Sequence, residues 1–219
     1  ETKAYTFDFE LFQEVVSTII TAQDILIGKS VYPTVKITKN TTQYRPLGLG
    51  YTNLGAMLMY LGLPYDSNEG RYIASQITAI LSGVAFLTSN KLSKIKGSFA
   101  RFNNNKESYY NVLKSHDHEL TKIRDTINND FSRNLSEISG NVWNQIMELV
   151  KNEEGFRNAQ VTLMAPTGTI SFVMDAQTTG VEPEFSHVKY KRLSNTDGSV
   201  MTTISPLTRI SLENLGYEK

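Results

Sequence analysis

The sequence predicts an α/β fold, rich in helices, with short strands set between them. Three observations carry that expectation. Apolar residues recur at helical spacing along much of the chain, and two short β-type runs lie near 161–165 and 187–193. Helices far outnumber these strands and separate them, which favours α/β over an all-helical fold.

The elements follow in order. Leu11, Phe12, Val15, Val16, Ile19, Ile20 and Leu26 trace a stripe between a capping Asp8 and Gly28, which predicts a helix over 9–28. Residues 29–43 mix β-branched and polar types around Pro33 and read as loop with room for a short strand. Residues 44–50 read as a short strand or an irregular lead-in to a helix at 52–62. Asp66 and Glu69 form a capping-box-like pair for a second helix, striped by Ile73, Ile77, Ile80, Leu81 and Val84 and reaching about residue 93. Residues 94–135 are the most polar part, with "RFNNNKES" as loop and short helices near 106–114 and 118–128. Val142, Trp143, Ile146, Met147 and Val150 mark a helix ending near Gly155. A strand ending at Ala165, a turn and a helix from about Thr169 come next, then a strand at 187–193 and a turn at "NTDG". Ser205 and Pro206 open a last helix, with Gly216 as its C-cap.

Composition narrows the function. Twenty-two basic residues balance 22 acidic ones in 219, so nothing global favours nucleic acid or an anionic membrane surface. The chain has no cysteine, which excludes disulfides, thiolate metal sites and a cysteine nucleophile of its own. No apolar run approaches the roughly 20 residues that span a bilayer, and no signal peptide opens the sequence, so a cytoplasmic setting is expected. Glu1 in place of Met, and an ending without an obvious stop, suggest the interior of a longer protein.

Five constellations each have a functional and a plainer reading. "GLGYTNLG" (48–55) places its third glycine two positions late for a dinucleotide fingerprint and lacks the Lys-Ser/Thr of a P-loop, so close packing is the better reading. "VTLMAPTGTISF" (161–172) sets a strand, a Pro-Thr-Gly-Thr turn and a helix in succession. Free amides at the helix start, the hydroxyls of Thr167, Thr169 and Ser171, and the absent Cβ of Gly168 would make an anion site suited to phosphate. Simple helix capping explains the same residues as well, and chemistry alone leaves both open. His116 and His118 sit two apart and diverge on a helix, so a solvated helix start outweighs a metal site. Lys91 to Lys106 is basic, with Phe99 and Phe102 interleaved, but reads better as a solvated loop than as a single-strand binding surface. Glu182 and Glu184 read as a structural turn rather than an acid/base pair.

Two stretches together resemble a known family. "RPLGLGYTNLGAMLMYLGLPYDSNEG" (45–70) and "LMAPTGTISFVMDAQTTGVEPEFSHVKYKRL" (163–193) are similar to the large catalytic chain of ribonucleotide reductases, most of all the adenosylcobalamin-dependent (vitamin B12-dependent, class II) branch. "ETKAYTFDFE" is similar to a segment that branch carries after its catalytic cysteines. The resemblance implies that residues 1–219 are a single fragment of a ten-stranded α/β barrel built around a cysteine thiyl radical. Its helical part would span about 1–158 and its phosphate-loop part about 159–219. It implies a loop gripping the substrate's phosphates, formed here by Ala165, Pro166, Thr167, Gly168, Thr169, Ile170 and Ser171, with the 45–70 motif as a packing and turn element beneath it. Adenosylcobalamin is the implied cofactor, with no ligand residue identifiable in this chain. A ribonucleotide is the implied substrate, and the remainder of the reductase chain, carrying the catalytic cysteines, the implied partner. No catalytic or metal-binding residue is expected within these 219 positions, so the isolated chain should be inactive. Open strand edges leave room for a homo-oligomer. A non-catalytic nucleotide-binding module derived from the barrel is the rival, and a helical scaffold whose Thr-Gly-Thr turn is only a cap is the plainest alternative.

Overall fold

The computed structural model describes residues 6–123, 129–192 and 199–217. Eight helices and one two-stranded sheet occupy them. By internal packing the chain forms two compact units. Unit 1 comprises residues 1–50 and 75–163, and unit 2 comprises 51–74 and 164–219. Residues 51–74, which the sequence suggests belong to the helical portion, thus join the unit that holds the Pro-Thr-Gly-Thr turn.

In unit 1, α1 (Phe9–Lys29) starts as expected, with the Asp8 carboxylate accepting from Leu11 N at 3.0 Å. Residues 35–44, expected as loop, form a second helix, α2 (Val35–Tyr44). Thr34 caps it by accepting from Ile37 N, and the hydroxyls of Thr38 and Thr42 bond back one turn to Thr34 O and Thr38 O. Local capping chemistry overrides the weak helix propensity of this Thr-rich stretch. The first residues of α4 (Asn68–Lys96) fall in unit 2 and the rest in unit 1; its expected capping pair shifts by one residue, with Ser67 Oγ accepting from Gly70 N at 2.9 Å while Asp66 pairs with Arg71. The "RFNNNKES" loop is instead the start of α5 (Phe102–Ile123). Phe102, Tyr110 and Leu113 are buried along that helix, so packing of its apolar face outweighs the Asn run. The two short helices expected near 106–114 and 118–128 are one helix to Ile123, and residues 124–128 lie outside the described residues. α6 (Asp130–Lys151) carries the expected Trp143 stripe, with Trp143 Nε1 donating to Ala79 O at 2.9 Å. Phe86 stacks edge-on to Trp143, Tyr109 and Phe156, forming an aromatic core to which Phe99 and Phe102 also belong.

A buried ionic cluster ties unit 1 together. Arg45, left-handed at φ 48°, donates Nε to Asp24 Oδ1 at 2.8 Å and a second guanidinium N–H to Asp24 O at 2.6 Å. Asn158 Nδ2 donates to Asp24 Oδ1 and to Arg45 O, and Arg157 Nε reaches Asp24 Oδ2 at 3.4 Å. Ser89 of α4 completes the set by donating to Asn158 Oδ1 and accepting from Asn158 N. Burial raises the Asp24 carboxyl, but the hydrogen bonds from Arg45 and Asn158 and the two guanidinium charges outweigh it, so it ionises below its ordinary 3.8. The expected strand at 161–165 reduces to one parallel bridge between Leu49 and Thr162. Leu47 N donates to Gln160 O, Leu49 N to Val161 O, and Leu163 N to Leu49 O.

In unit 2, α3 (Leu54–Tyr60) and α8 (Pro206–Asn214) pack together, and Asn214 Nδ2 donates to Tyr60 O at 2.8 Å. α8 starts at Ser205 and Pro206 as expected, and Gly216 follows its C-cap. β1 (Val188–Arg192) and β2 (Val200–Ile204) pair antiparallel, Val188 opposite Ile204 and Arg192 opposite Val200. The "NTDG" turn and Leu193 lie outside the described residues.

The expectation that no run reaches membrane-spanning length is corrected on length and composition alone. Among the described residues α1 and α4 are long and apolar enough to cross a bilayer. Most of α4 is buried, as a core helix would be, whereas α1 leaves Leu11, Val15, Ile19 and Leu26 exposed.

The ionic cluster gives a measurable consequence. Asp24→Asn leaves the Arg45 guanidinium buried without its anion and should cost about 3–5 kcal/mol of stability in urea denaturation. Because the folded-state carboxyl titrates below 3.8, its contribution is fully present above that value and is lost as pH falls through the lowered pKa. The variant should therefore show a flatter loss of stability on the acid side than wild type.

Candidate functional site

The Pro-Thr-Gly-Thr turn lies wholly in unit 2 and opens a short helix, α7 (Gly168–Val173). Thr167, not Gly168, takes the left-handed conformation, at φ 51°. A β-branched residue there costs roughly 1–2 kcal/mol, so its surroundings must hold it in place. They do so through its hydroxyl. Thr167 Oγ1 accepts from Gly180 N at 2.7 Å and lies 3.1 Å from Ser171 Oγ and 3.4 Å from Thr52 Oγ1. Ser171 is buried, and its hydroxyl donates to Thr167 O.

A second layer supports this turn from residues more than 100 positions away in sequence. Thr52 Oγ1 donates to Thr178 O at 2.8 Å and accepts from Gly180 N at 3.0 Å. Asn53, itself left-handed at φ 69°, accepts at Oδ1 from Gln177 N and Thr178 N at 2.8 and 3.1 Å. Asn53 N donates to Thr178 O, and Ala56 N donates to Thr178 Oγ1 at 3.1 Å. The Thr178 hydroxyl thereby serves an amide of the first turn of α3, which Asn53 leaves without a side-chain cap. Two glycines let the segments close up. A Cβ at Gly180 would stand 2.6 Å from Ala165 O, and one at Gly55 would stand 2.5 Å from Glu182 O.

The outer side of the turn has a different character. Among the described residues, the amides of Gly168, Thr169 and Ile170 have no hydrogen-bond acceptor. These three residues and Pro166 are exposed, Ala165 is half-buried, and a Cβ built on Gly168 would meet nothing within 4 Å. Three adjacent donors on an exposed, glycine-opened turn suit a multiply charged oxyanion. The hydroxyls divide: those of Thr167 and Ser171 turn inward to fix the turn, and that of Thr169 stays outside.

The other candidates take structural places. Thr179 Oγ1 donates to Glu182 Oε2 at 2.6 Å, and Glu184, its side chain only 1% exposed, pairs with Lys189 at 3.0 Å. His116 packs edge-on to Trp143, with ring centroids 5.8 Å apart. Among the described residues no three His, Asp or Glu side chains converge as metal ligands. In the basic stretch, Lys94 and Lys106 pair with Glu154 and Glu153, and Phe99 and Phe102 are buried.

With this geometry in view, the model of the family described as the ribonucleotide reductase barrel domain matches residues 2–219. The chain belongs to that family. It is 40% identical over 213 residues to a vitamin B12-dependent ribonucleotide reductase of Rhodopirellula baltica, covering 97% of this chain and 20% of the relative. A relative of the same description from Streptomyces coelicolor is 37% identical over 214 residues, covering 98% of this chain and 22% of the relative. One from Agrobacterium fabrum is 34% identical over 231 residues, covering all of this chain and 18% of the relative. The chain therefore spans about a fifth of the length of these relatives.

Within this barrel-family chain, sequence reasoning singled out the turn but missed its supports: Thr52, Asn53, Thr178 and Gly180. Their signal lay in the polar pair ahead of α3, which reads as an ordinary helix cap yet bonds a distant segment. The close approach at Gly55 should be intolerant of any side chain. Gly55→Ala is expected to lower stability by about 1–3 kcal/mol through overpacking against the Glu182 carbonyl and Pro183, readable as a drop in the urea midpoint.

Proposed function

We propose that this chain is the substrate-phosphate-binding portion of a ribonucleotide reductase catalytic chain, of the vitamin B12-dependent kind. The reaction is conversion of ribonucleoside di- or triphosphates to 2′-deoxyribonucleotides. The observation that carries this reading is the trio of amides at Gly168, Thr169 and Ile170, without an acceptor among the described residues and presented on an exposed turn in a chain of this family. Those amides and the Thr169 hydroxyl donate to phosphate oxygens as charge-assisted hydrogen bonds. Ala165 and Pro166 lead the chain into the turn, while Thr167 and Ser171 hold its shape. α7 has six residues, so the local amides matter more than a long helix dipole. Gripping the phosphates fixes where the ribose lies, the geometric condition for abstracting hydrogen from it.

Residues 1–219 belong, in this reading, to a ten-stranded barrel completed by the rest of the catalytic chain. The radical cysteine and the reducing cysteines must come from that remainder, because this chain has none. Adenosylcobalamin, when bound to the complete enzyme, supplies the radical. No residue of this chain is identified as a ligand of the cofactor, and no contact to it is assigned to these residues.

The test is calorimetric titration with a nucleoside diphosphate and triphosphate, for wild type and Gly168→Asp, in the complete catalytic chain. A carboxylate placed in the open space at 168 should weaken binding by roughly tenfold or more through like-charge repulsion. Absence of phosphate-dependent binding, or equal binding by the variant, contradicts the assignment.

A further inference from the structure

We infer that Thr52 is a positioning residue for nucleotide binding, setting the shape of the phosphate turn through its hydroxyl without touching the ligand. This rests on the phosphate reading of residues 165–171 and adds to it a residue from the distant 45–70 motif. The Thr52 hydroxyl meets three points of the turn's support at once. It accepts from Gly180 N at 3.0 Å, donates to Thr178 O at 2.8 Å and lies 3.4 Å from Thr167 Oγ1. Gly180 N is shared, since it also donates to Thr167 Oγ1 at 2.7 Å. One amide thus couples the Thr52 hydroxyl to the strained residue that aims the amides of Gly168, Thr169 and Ile170.

The arrangement has little slack. Gly180 sits at φ 48° with the Ala165 carbonyl where its Cβ would be, so the 177–182 segment is pressed against the turn. Asn53 fixes that segment by accepting from Gln177 N and Thr178 N, which leaves the Thr52 hydroxyl as the side-chain link from α3's leading edge to Gly180. Valine at 52 keeps the size and β-branching of threonine but removes that link. It leaves Gly180 N with Thr167 Oγ1 alone and Thr178 O without the hydroxyl donor. The left-handed Thr167 then loses part of what offsets its strain, and the three outward amides lose their common aim.

The experiment uses the complete catalytic chain carrying this segment, titrated with a nucleoside diphosphate and assayed for steady-state reduction. Thr52→Val should raise Kd and KM by roughly tenfold, the upper scale of one lost hydrogen bond, with kcat nearly unchanged. Thr52→Ser, which keeps the hydroxyl, should stay close to wild type. Gly62→Ala, a strained substitution elsewhere in unit 2 (φ 71°), controls for general loosening of the fold and should leave Kd unchanged. Wild-type Kd in Thr52→Val, alongside lost binding in Gly168→Asp, overturns the positioning role while the phosphate reading stands. Wild-type binding in Gly168→Asp overturns both. A Gly62→Ala variant whose Kd rises as much as that of Thr52→Val also overturns the inference, because the effect is then one of stability alone.

Discussion

The shape of unit 2 depends on one constraint: a β-branched threonine must be held left-handed at the head of a six-residue helix. The Thr167 hydroxyl accepts from Gly180 N, its carbonyl accepts from Ser171, and Thr52 and Asn53 bond the 177–180 backbone that presents that amide. Two stretches separated by more than 100 residues are thereby joined through side-chain-to-backbone bonds rather than a sheet ladder. Such bonds are directional, which apolar packing is not, so they constrain how the two stretches are oriented. Inward hydroxyls and outward amides follow from the same conformation.

Unit 1 is held by an analogous device of opposite polarity. Arg45 is also left-handed, and its guanidinium is anchored on Asp24, with Asn158 and Ser89 saturating the remaining positions. Asn158 and Arg45 of the cluster lie beside the 45–49 and 160–163 backbones, where the strand expected at 161–165 is reduced to the single parallel bridge at Leu49 and Thr162. In each unit a non-glycine residue in a costly conformation is stabilised by a polar network, buried around Arg45 and part-buried around Thr167.

Much of the helical architecture was legible because it rests on periodicity and capping: Asp8 before α1, the Trp143 stripe of α6 and Pro206 at the first turn of α8 behave as their residue types dictate, whereas Ser205 holds the N-cap position without a side-chain capping bond. The failures share a cause. α2 and the first turns of α5 are built from residues of weak helix propensity, and they are helical because Thr34 caps one and the aromatic core buries Phe102 and Tyr110 along the other. The site was half legible. The composition of "PTGT" announced a turn rich in donors, but the choice of Thr167 over Gly168 as the left-handed residue is made by Gly180 and Thr52. No local pattern encodes a partner that distant. The 48–55 motif failed as a dinucleotide fingerprint for a sound reason: its glycine at 55 serves backbone approach to Glu182 and Pro183, while the polar pair ahead of it, Thr52 and Asn53, organises the turn.

The central claim is that the amides of Gly168, Thr169 and Ile170 are the donors that meet phosphate. Backbone amide NMR of the complete catalytic chain, with these three residues selectively ¹⁵N-labelled and titrated with a nucleoside diphosphate, reads them directly. The account predicts saturable downfield proton shifts at these three amides, reproduced by inorganic pyrophosphate and absent with the unphosphorylated nucleoside. Nucleotide binding that leaves all three amides unmoved would contradict it.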